Sequence, residues 1–343
     1  MEHNIVSVSG GKDSTALLLL ALERQPDNLQ AVFADTGNEH QITYDYVQYL
    51  NDKVFPIRTV KADFTRQIAG KKEYILTKWF AKMTAPVKFI SGYESEKDGD
   101  GSDVPIYDYR DGMPPEQAQE AIDRAAAAMV PTGNPFLDMC IWKGRFPSSQ
   151  VPFCSGFLKR DQINREVQQP LLDAGEDVIS WQGVRRDESL RRSLLSENEL
   201  KKCFDNGAEL WIYRPILEWT AEDCFAMHRK HGIKHNPLYE MGMGRVGCMP
   251  CINCRKDELL EISKRFPEEI DRIRQWELTV ANASKRVSAT FFSIDGDNET
   301  AYERGNVDQA VKWAQTGRGG HTFDMFRMQN DGPVCTSIYG LCE

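Results

Sequence analysis

The chain opens on a short apolar run at 5–8, breaks at two glycines, and resumes with an apolar run of alanine and leucine at 16–22. The first run has strand length. The second sits in a helical stretch from about 13 to 24. The same exchange repeats downstream and predicts a strand at 30–34, a helix at 41–51 and a strand at 57–60. Such alternation predicts an α/β fold, a doubly wound parallel sheet with helices on both faces, with ligand at the carboxyl ends of the strands. Further strands are expected at 177–184 and 209–213. After Pro215 a helix is expected near Thr220, Ala221, Glu222 and Asp223, a plausible N-cap followed by early acids. A long helical stretch follows at 257–283. Residues 91–117 are rich in glycine, proline and acid and read as a long surface loop or mobile insertion, either a lid over the site or a tolerated insertion. Residues 287–343 carry aromatics and glycines without periodicity and receive no assignment. No internal repeat is visible. The expected division is a nucleotide-binding part, 1–245, and a cysteine-containing helical part, 246–343.

Composition narrows the class without fixing the chemistry. The 343 residues are 41% hydrophobic and 27% charged, an ordinary globular balance that supports a full core. The run at 16–22 is too short to span a bilayer, and Met1, Glu2, His3 and Asn4 lack the basic start of a secretory signal, so a cytoplasmic protein with no membrane partner is expected. A net charge of −9 argues against broad attraction to nucleic acid, while leaving room for local basic clusters such as Arg185, Arg186, Arg191 and Arg192.

Ser9, Gly10, Gly11, Lys12, Asp13 and Ser14 lie where the first strand would turn into the first helix. Glycines there let backbone N–H groups approach a phosphate, and the helix dipole favours negative charge at that end. Lys12 adds a point charge and Ser9 and Ser14 add hydroxyls. Asp13 suits holding the loop or a Mg2+ ion better than touching phosphate. The spacing does not match the Walker loop. A plain tight turn is the simpler alternative.

Nine cysteines in a chain expected in the cytoplasm point to metal or redox chemistry rather than disulfides. Cys248, Cys251 and Cys254 form a C-x2-C-x2-C run that requires a fourth ligand. Zinc accepts such a set, and so does a [4Fe-4S] cluster, which the compact spacing favours. Cys140, Cys203 and Cys224 stand alone and read as small buried hydrophobes. Cys335 and Cys342 lie near the C-terminus, within reach of a role as thiols at the nucleotide or as inert tail residues.

Residues 9–14 resemble the pyrophosphate loop of the adenine nucleotide alpha-hydrolase superfamily of ATP pyrophosphatases. Five ordered motifs, 9–14, 35–37, 154–159, 183–189 and 236–239 leading into 245–248, resemble its phosphoadenosine phosphosulfate (PAPS) reductase branch. The resemblance implies that Asp35, Thr36 and Gly37 end a strand beside the nucleotide, that Arg185 and Arg186 clamp anions with their forked guanidiniums, and that Cys154 is the fourth cluster ligand. Lys12, Asp13 and Arg185 are the implied catalytic set.

Two departures matter. The reductases end in a Glu-Cys-Gly-Leu-His tail, whereas this chain ends Tyr339, Gly340, Leu341, Cys342, Glu343. Its loop also keeps the Lys12-Asp13 form typical of ATP users. With this loop and the four cluster cysteines together it resembles DNA phosphorothioation proteins of the DndC and SspD type and reductase-like proteins of phages and mobile elements. The implied function is an ATP pyrophosphatase, with ATP, Mg2+ and a [4Fe-4S] cluster as cofactors and zinc as the alternative to the cluster. It would adenylate an acceptor for sulfur transfer, with a cysteine desulfurase or other sulfur donor and a DNA or RNA acceptor, reached with partner proteins, as partners; a homo-oligomer is compatible. The alternatives are a PAPS or adenylylsulfate reductase that uses thioredoxin with Cys342 as nucleophile, and a nucleotide-binding subunit of a modification or defence complex.

Overall fold

The computed structural model describes residues 1–94, 104–292, 305–317 and 339. Its strands are β1 Glu2–Val8, β2 Leu29–Asp35, β3 Ile57–Lys61, β4 Val87–Glu94, β5 Val104–Arg110, β6 Asp177–Trp181, β7 Asn198–Cys203 and β8 Glu209–Tyr213. Six of them form one sheet in the order β3-β2-β1-β6-β8-β7, parallel throughout except for the antiparallel edge strand β7. Ile5 and Val6 in β1 point to opposite faces and are both fully buried. That is why the run at 5–8 is apolar without alternation: a central parallel strand is covered on both sides.

The first helices are α1 Lys12–Arg24, α2 Gln41–Lys53, α3 Thr65–Thr84, α4 Pro115–Ala128 and α5 Pro135–Lys143. One face of the sheet packs Val6 and Val8 against Leu17 and Leu18 of α1, with Leu50 of α2 and Met227 of the helix Ala221–Lys230. The other face packs Ile5, Val32 and Val178 with Val167 and Leu172. A third core is helical and joins Ile75, Trp79, Ile122 and Phe136 from α3 to α5 with Ile273 and Val307 from late in the chain. It therefore draws on residues from both sides of position 245.

Several expectations change. Residues 91–117 do not form one long loop: β4 and β5 pair as an antiparallel hairpin that extends into the segment from both sides, and α4 starts at Pro115. The expected strand at 177–184 stops at Trp181. The expected helix at 257–283 is two helices, Lys256–Arg265 and Pro267–Ala283, because Pro267 cannot donate into a preceding turn and instead starts a new helix. The unassigned tail contains a helix, Val307–Ala314. Cys335 and Cys342 lie outside the described residues.

The winding order places a topological switch between β1 and β6. From β1 the chain crosses to β2 on one side, and β6 adjoins β1 on the other. The turns that follow these two strands leave a crevice at the carboxyl edge of the sheet, where ligands of open α/β sheets bind.

Candidate nucleotide site and cysteine cavity

β1 ends at Val8 and α1 starts at Lys12, so the connecting turn is short. Gly10 has φ +73°, and a Cβ there would lie 3.0 Å from Thr43 Cγ2 of α2. Gly11 is the N-cap of α1 and no side chain caps the helix. Its first-turn amides are thus available to an anion, apart from the Lys12 N–H, which donates to the Tyr239 hydroxyl at 2.9 Å. The serines hold the turn itself: Ser14 Oγ accepts from the Ser9 N–H at 3.0 Å and donates to the Gly11 carbonyl at 3.0 Å.

Lys12 is 4% exposed; its Nζ lies 3.2 Å from Asp13 Oδ2 and 5.5 and 5.1 Å from the ring centres of Tyr239 and Tyr339. Asp13 Oδ1 accepts from Arg185 Nε at 2.6 Å and from Cys224 Sγ at 3.3 Å. Burial pushes the Asp13 carboxyl up, but Lys12 and Arg185 outweigh it and hold the group below the ordinary carboxylate range. The same burial, reinforced by Asp13, pushes the Cys224 thiol up and keeps it protonated.

Arg185 completes its fork on Asp187 Oδ2 at 2.5 Å and is 5% exposed, so it orients the loop through Asp13 instead of lining the cavity. Arg186 turns to Glu218 and the Ser193 carbonyl. Asp35 accepts from the Gly37 N–H at 2.9 Å and the Tyr44 hydroxyl at 2.7 Å. The Thr36 hydroxyl donates to Glu39 at 2.7 Å. Residues 35–37 thereby shape the end of β2, and Phe33, Ala34 and Glu39 are what reach the cavity.

That cavity, of about 600 Å3, occupies the crevice between the turns after β1 and β6. Gly183 in the second turn comes so close that a Cβ there would lie 3.3 Å from the Asp13 carbonyl oxygen. The cationic side chains along it are Lys12, Lys159, Arg160, Arg192, Lys201 and Arg245, against Asp13, Glu39, Asp161 and Glu188. Lys159 and Arg160 come from a π-helical stretch, Ser155–Arg160, and Asn164 and Gln168 from a second one, Asn164–Gln168. The wider turn of a π-helix redirects side chains, and such turns recur at functional sites.

A smaller cavity of about 180 Å3 is lined by Cys248, Cys251 and Cys254. Ser9, Lys159, Arg245, Val246 and Gly247 line both cavities and form the wall between them. Burial pushes the Cys248 thiol up to about 12 against the pull of Lys159. Cys248 also contacts Thr36 Oγ1 at 3.5 Å and Glu39 Oε1 at 3.7 Å. Cys154, at the start of the π-helical stretch, does not line this cavity; burial, and then Cys251, push its thiol up. Among the described residues no three His, Cys, Asp or Glu side chains stand as ligands around one point. Four thiols suit a four-thiolate centre in chemistry, and three of them line one cavity, while Cys154 stands outside it and the side chains are not in ligand geometry.

Sequence reading left Glu39, Lys159, Tyr239 and Cys224 out of the site. Tyr239 and Lys159 lay within motifs that could have flagged them. Nothing local marks Cys224, which meets Asp13 only through folding.

The model of the phosphoadenosine phosphosulfate reductase domain family matches residues 3–254. An uncharacterized 37.8 kDa protein of Escherichia phage 186 is 46% identical over 349 residues, covering 99% of this chain and 96% of its own. The adenosine 5'-phosphosulfate reductase of Anoxybacillus flavithermus is 31% identical over 83 residues, 24% of this chain and 34% of that enzyme. A crystal structure of phosphoadenylyl-sulfate reductase from Candida auris, a phosphate complex, overlaps 73% of this chain and 82% of its own at 14% identity, with a TM-score of 0.36. No described helix is long and apolar enough to cross a membrane.

Proposed function

We propose that this chain, which belongs to the phosphoadenosine phosphosulfate reductase domain family, binds ATP at residues 9–14 and cleaves it between the α and β phosphates to adenylate an acceptor for sulfur transfer. The observation that carries this reading is the wall shared by the two cavities: the phosphate-type loop and the cysteine triple meet across Ser9, Lys159 and Arg245.

An acceptor oxygen attacks the α phosphorus. The new P–O bond forms as the bond from the α phosphorus to the α–β bridging oxygen breaks, and pyrophosphate leaves with that oxygen and the electron pair. Lys12 and the free amides of α1 take up its charge, with Mg2+ supplying further charge neutralisation when bound. Arg185 keeps Asp13, and with it Lys12, in place. Six cations along the cavity exceed its four acids, which suits a polyanionic acceptor as well as the nucleotide. A nucleic-acid phosphate is the acceptor this reading favours, as in DNA phosphorothioation. Sulfide, freed when a thiol reductant cleaves the persulfide of a donor such as a cysteine desulfurase and is itself oxidised to a disulfide, then attacks the phosphorus of the adenylated acceptor, and AMP departs with the original acceptor oxygen. Cys154, Cys248, Cys251 and Cys254 would hold a [4Fe-4S] cluster, which would supply iron able to bind sulfur; zinc on the same thiols would brace the fold.

Incubation with Mg-ATP and separation of products is the test. The wild-type chain should form AMP and pyrophosphate, and Lys12→Ala should lose on the order of 100-fold in rate with unchanged circular dichroism. Equal rates in the two proteins overturn the assignment. Sulfite released from adenylylsulfate with reduced thioredoxin would replace it with the reductase reading, which the stretch of similarity to adenosine 5'-phosphosulfate reductase supports. Product formed on addition of a partner alone would make the chain a subunit of a modification complex.

A further inference from the structure

The hairpin of β4 and β5 stands apart from the sheet that carries the site. It has two strands, and among the described residues neither outer edge is paired. The register Lys88↔Tyr109, Ile90↔Tyr107 and Tyr93↔Pro105 gathers Ile90, Tyr93, Tyr107 and Tyr109 on one face. Tyr93, Tyr107 and Tyr109 are 64%, 50% and 62% exposed. Phe89 and Ile106 on the opposite face are exposed as well. A two-stranded hairpin is marginal in water without a covered face, and an open apolar edge is a template for another strand.

Charge decides what covers it. A polyanion is a poor occupant: Lys88 and Arg110 in the strands are matched by Glu94 and Asp108, and the nine residues joining the strands add Glu96, Asp98, Asp100 and Asp103 against Lys97. The end of β5 is, by contrast, complementary to itself. If two copies of β5 pair antiparallel about Tyr109, Asp108 of each faces Arg110 of the other, and Pro105, which lacks an N–H, stays outside the paired stretch.

We propose that a second copy of this chain covers the hairpin, with β5 of one copy paired antiparallel to β5 of the other about a two-fold axis at Tyr109. The two hairpins then form one four-stranded sheet. Its tyrosine face, steadied by Lys88 Nζ lying 3.7 Å over the Tyr107 ring, becomes continuous across the axis. This dimer does not depend on the nucleotide reading and places no residue in that site.

Sedimentation equilibrium on the full chain from about 1 to 50 µM tests it. The expected mass is twice 39.1 kDa. Asp108→Arg puts like charges opposite each other and should weaken the dimer about tenfold, while Asp108→Arg with Arg110→Asp should restore it. All these positions are exposed, and matching thermal unfolding of the variants confirms that the fold is kept. A wild-type monomer throughout the range overturns the proposal, and so does a double variant no tighter than the single one. A monomer that binds a single-stranded oligonucleotide through Tyr107 and Tyr109 overturns it in favour of nucleic acid.

Discussion

Arg185 Nε donates to Asp13 Oδ1 at 2.6 Å and so joins the turn after β1 to the turn after β6 across the switch point of the sheet. Both groups are largely buried, with 6% and 18% of their side-chain surface exposed. Removing Arg185 leaves the buried Asp13 to Lys12 alone and takes away its shortest hydrogen bond. Arg185→Met should cost about 3 kcal/mol in urea unfolding. Arg185→Lys, which keeps the charge but loses the fork, should cost less stability while still slowing AMP formation, because Asp13 and Lys12 lose their fixed orientation. Equal stability of wild type and Arg185→Met would show that the pair does not organise the loop.

Gly37 has φ +74°, and a Cβ there would sit 2.7 Å from Pro135 Cδ. Gly37→Ala should therefore destabilise by about 2 kcal/mol or more. Gly70, in the interior of α3, has nothing within 4 Å of its Cβ position. Gly70→Ala should stabilise by about 0.5–1 kcal/mol, so the two substitutions shift the thermal midpoint in opposite directions.

Tyr239 is 1% exposed and its hydroxyl accepts from the Lys12 N–H. In Tyr239→Phe that buried amide loses its partner at about 1–2 kcal/mol. A phosphate at the head of α1 can accept from the same amide. Mg-ATP should then raise the melting temperature of Tyr239→Phe more than that of the wild type, as scanning calorimetry would record.

Glu277 is 1% exposed and accepts from the Phe291 and Val307 amides, tying the segment after the helix Pro267–Ala283 back onto it. Burial pushes its carboxyl up to about 7, against the pull of those two amides. The folded state therefore binds a proton that the unfolded chain has released between about pH 4.5 and 7. Stability contributed by this group is full below that window, falls as pH rises through it and is level above, a change of about 3 kcal/mol. Glu277→Gln cannot titrate, so its urea midpoint should lack this slope. It should also be less stable at pH 5, since an amide can accept from just one of the two N–H groups through its oxygen.

Cys251 lines one cavity with Cys248 and Cys254. On the cluster reading proposed above, protein purified without oxygen should carry iron and sulfide in equal amounts, about four of each per chain. Cys251→Ser should lose both, whereas the exposed Cys203→Ser keeps them. One zinc and no sulfide would assign the thiols to a structural site instead.

Local pattern carried much of the nucleotide half. A central parallel strand is apolar on both faces and a tight turn from strand into helix needs glycine at fixed places, so 5–8, the turn that begins at 9 and 30–34 were legible from neighbours in sequence. The cap at Thr220 was legible for the same reason, since its hydroxyl reaches Asp223 in the first turn. Residues 91–117 were misread because glycine and acid clustered in a hairpin connection mask the strands on either side. The break at Pro267 was overlooked because apolar spacing continues across it.

What the sequence alone determined is the strand-and-helix alternation of the first sixty residues and the glycine turn that joins β1 to α1. The partners of the side chains around that turn came from folding. Arg185 holds Asp13 where a direct anion clamp was expected, Cys224 donates to Asp13 across more than two hundred residues, and Ser9, Lys159 and Arg245 form one wall between two cavities. The reason is physical. Turn chemistry and hydrophobic period act over a few residues, whereas which charge meets which depends on strand order and on the packing of distant segments.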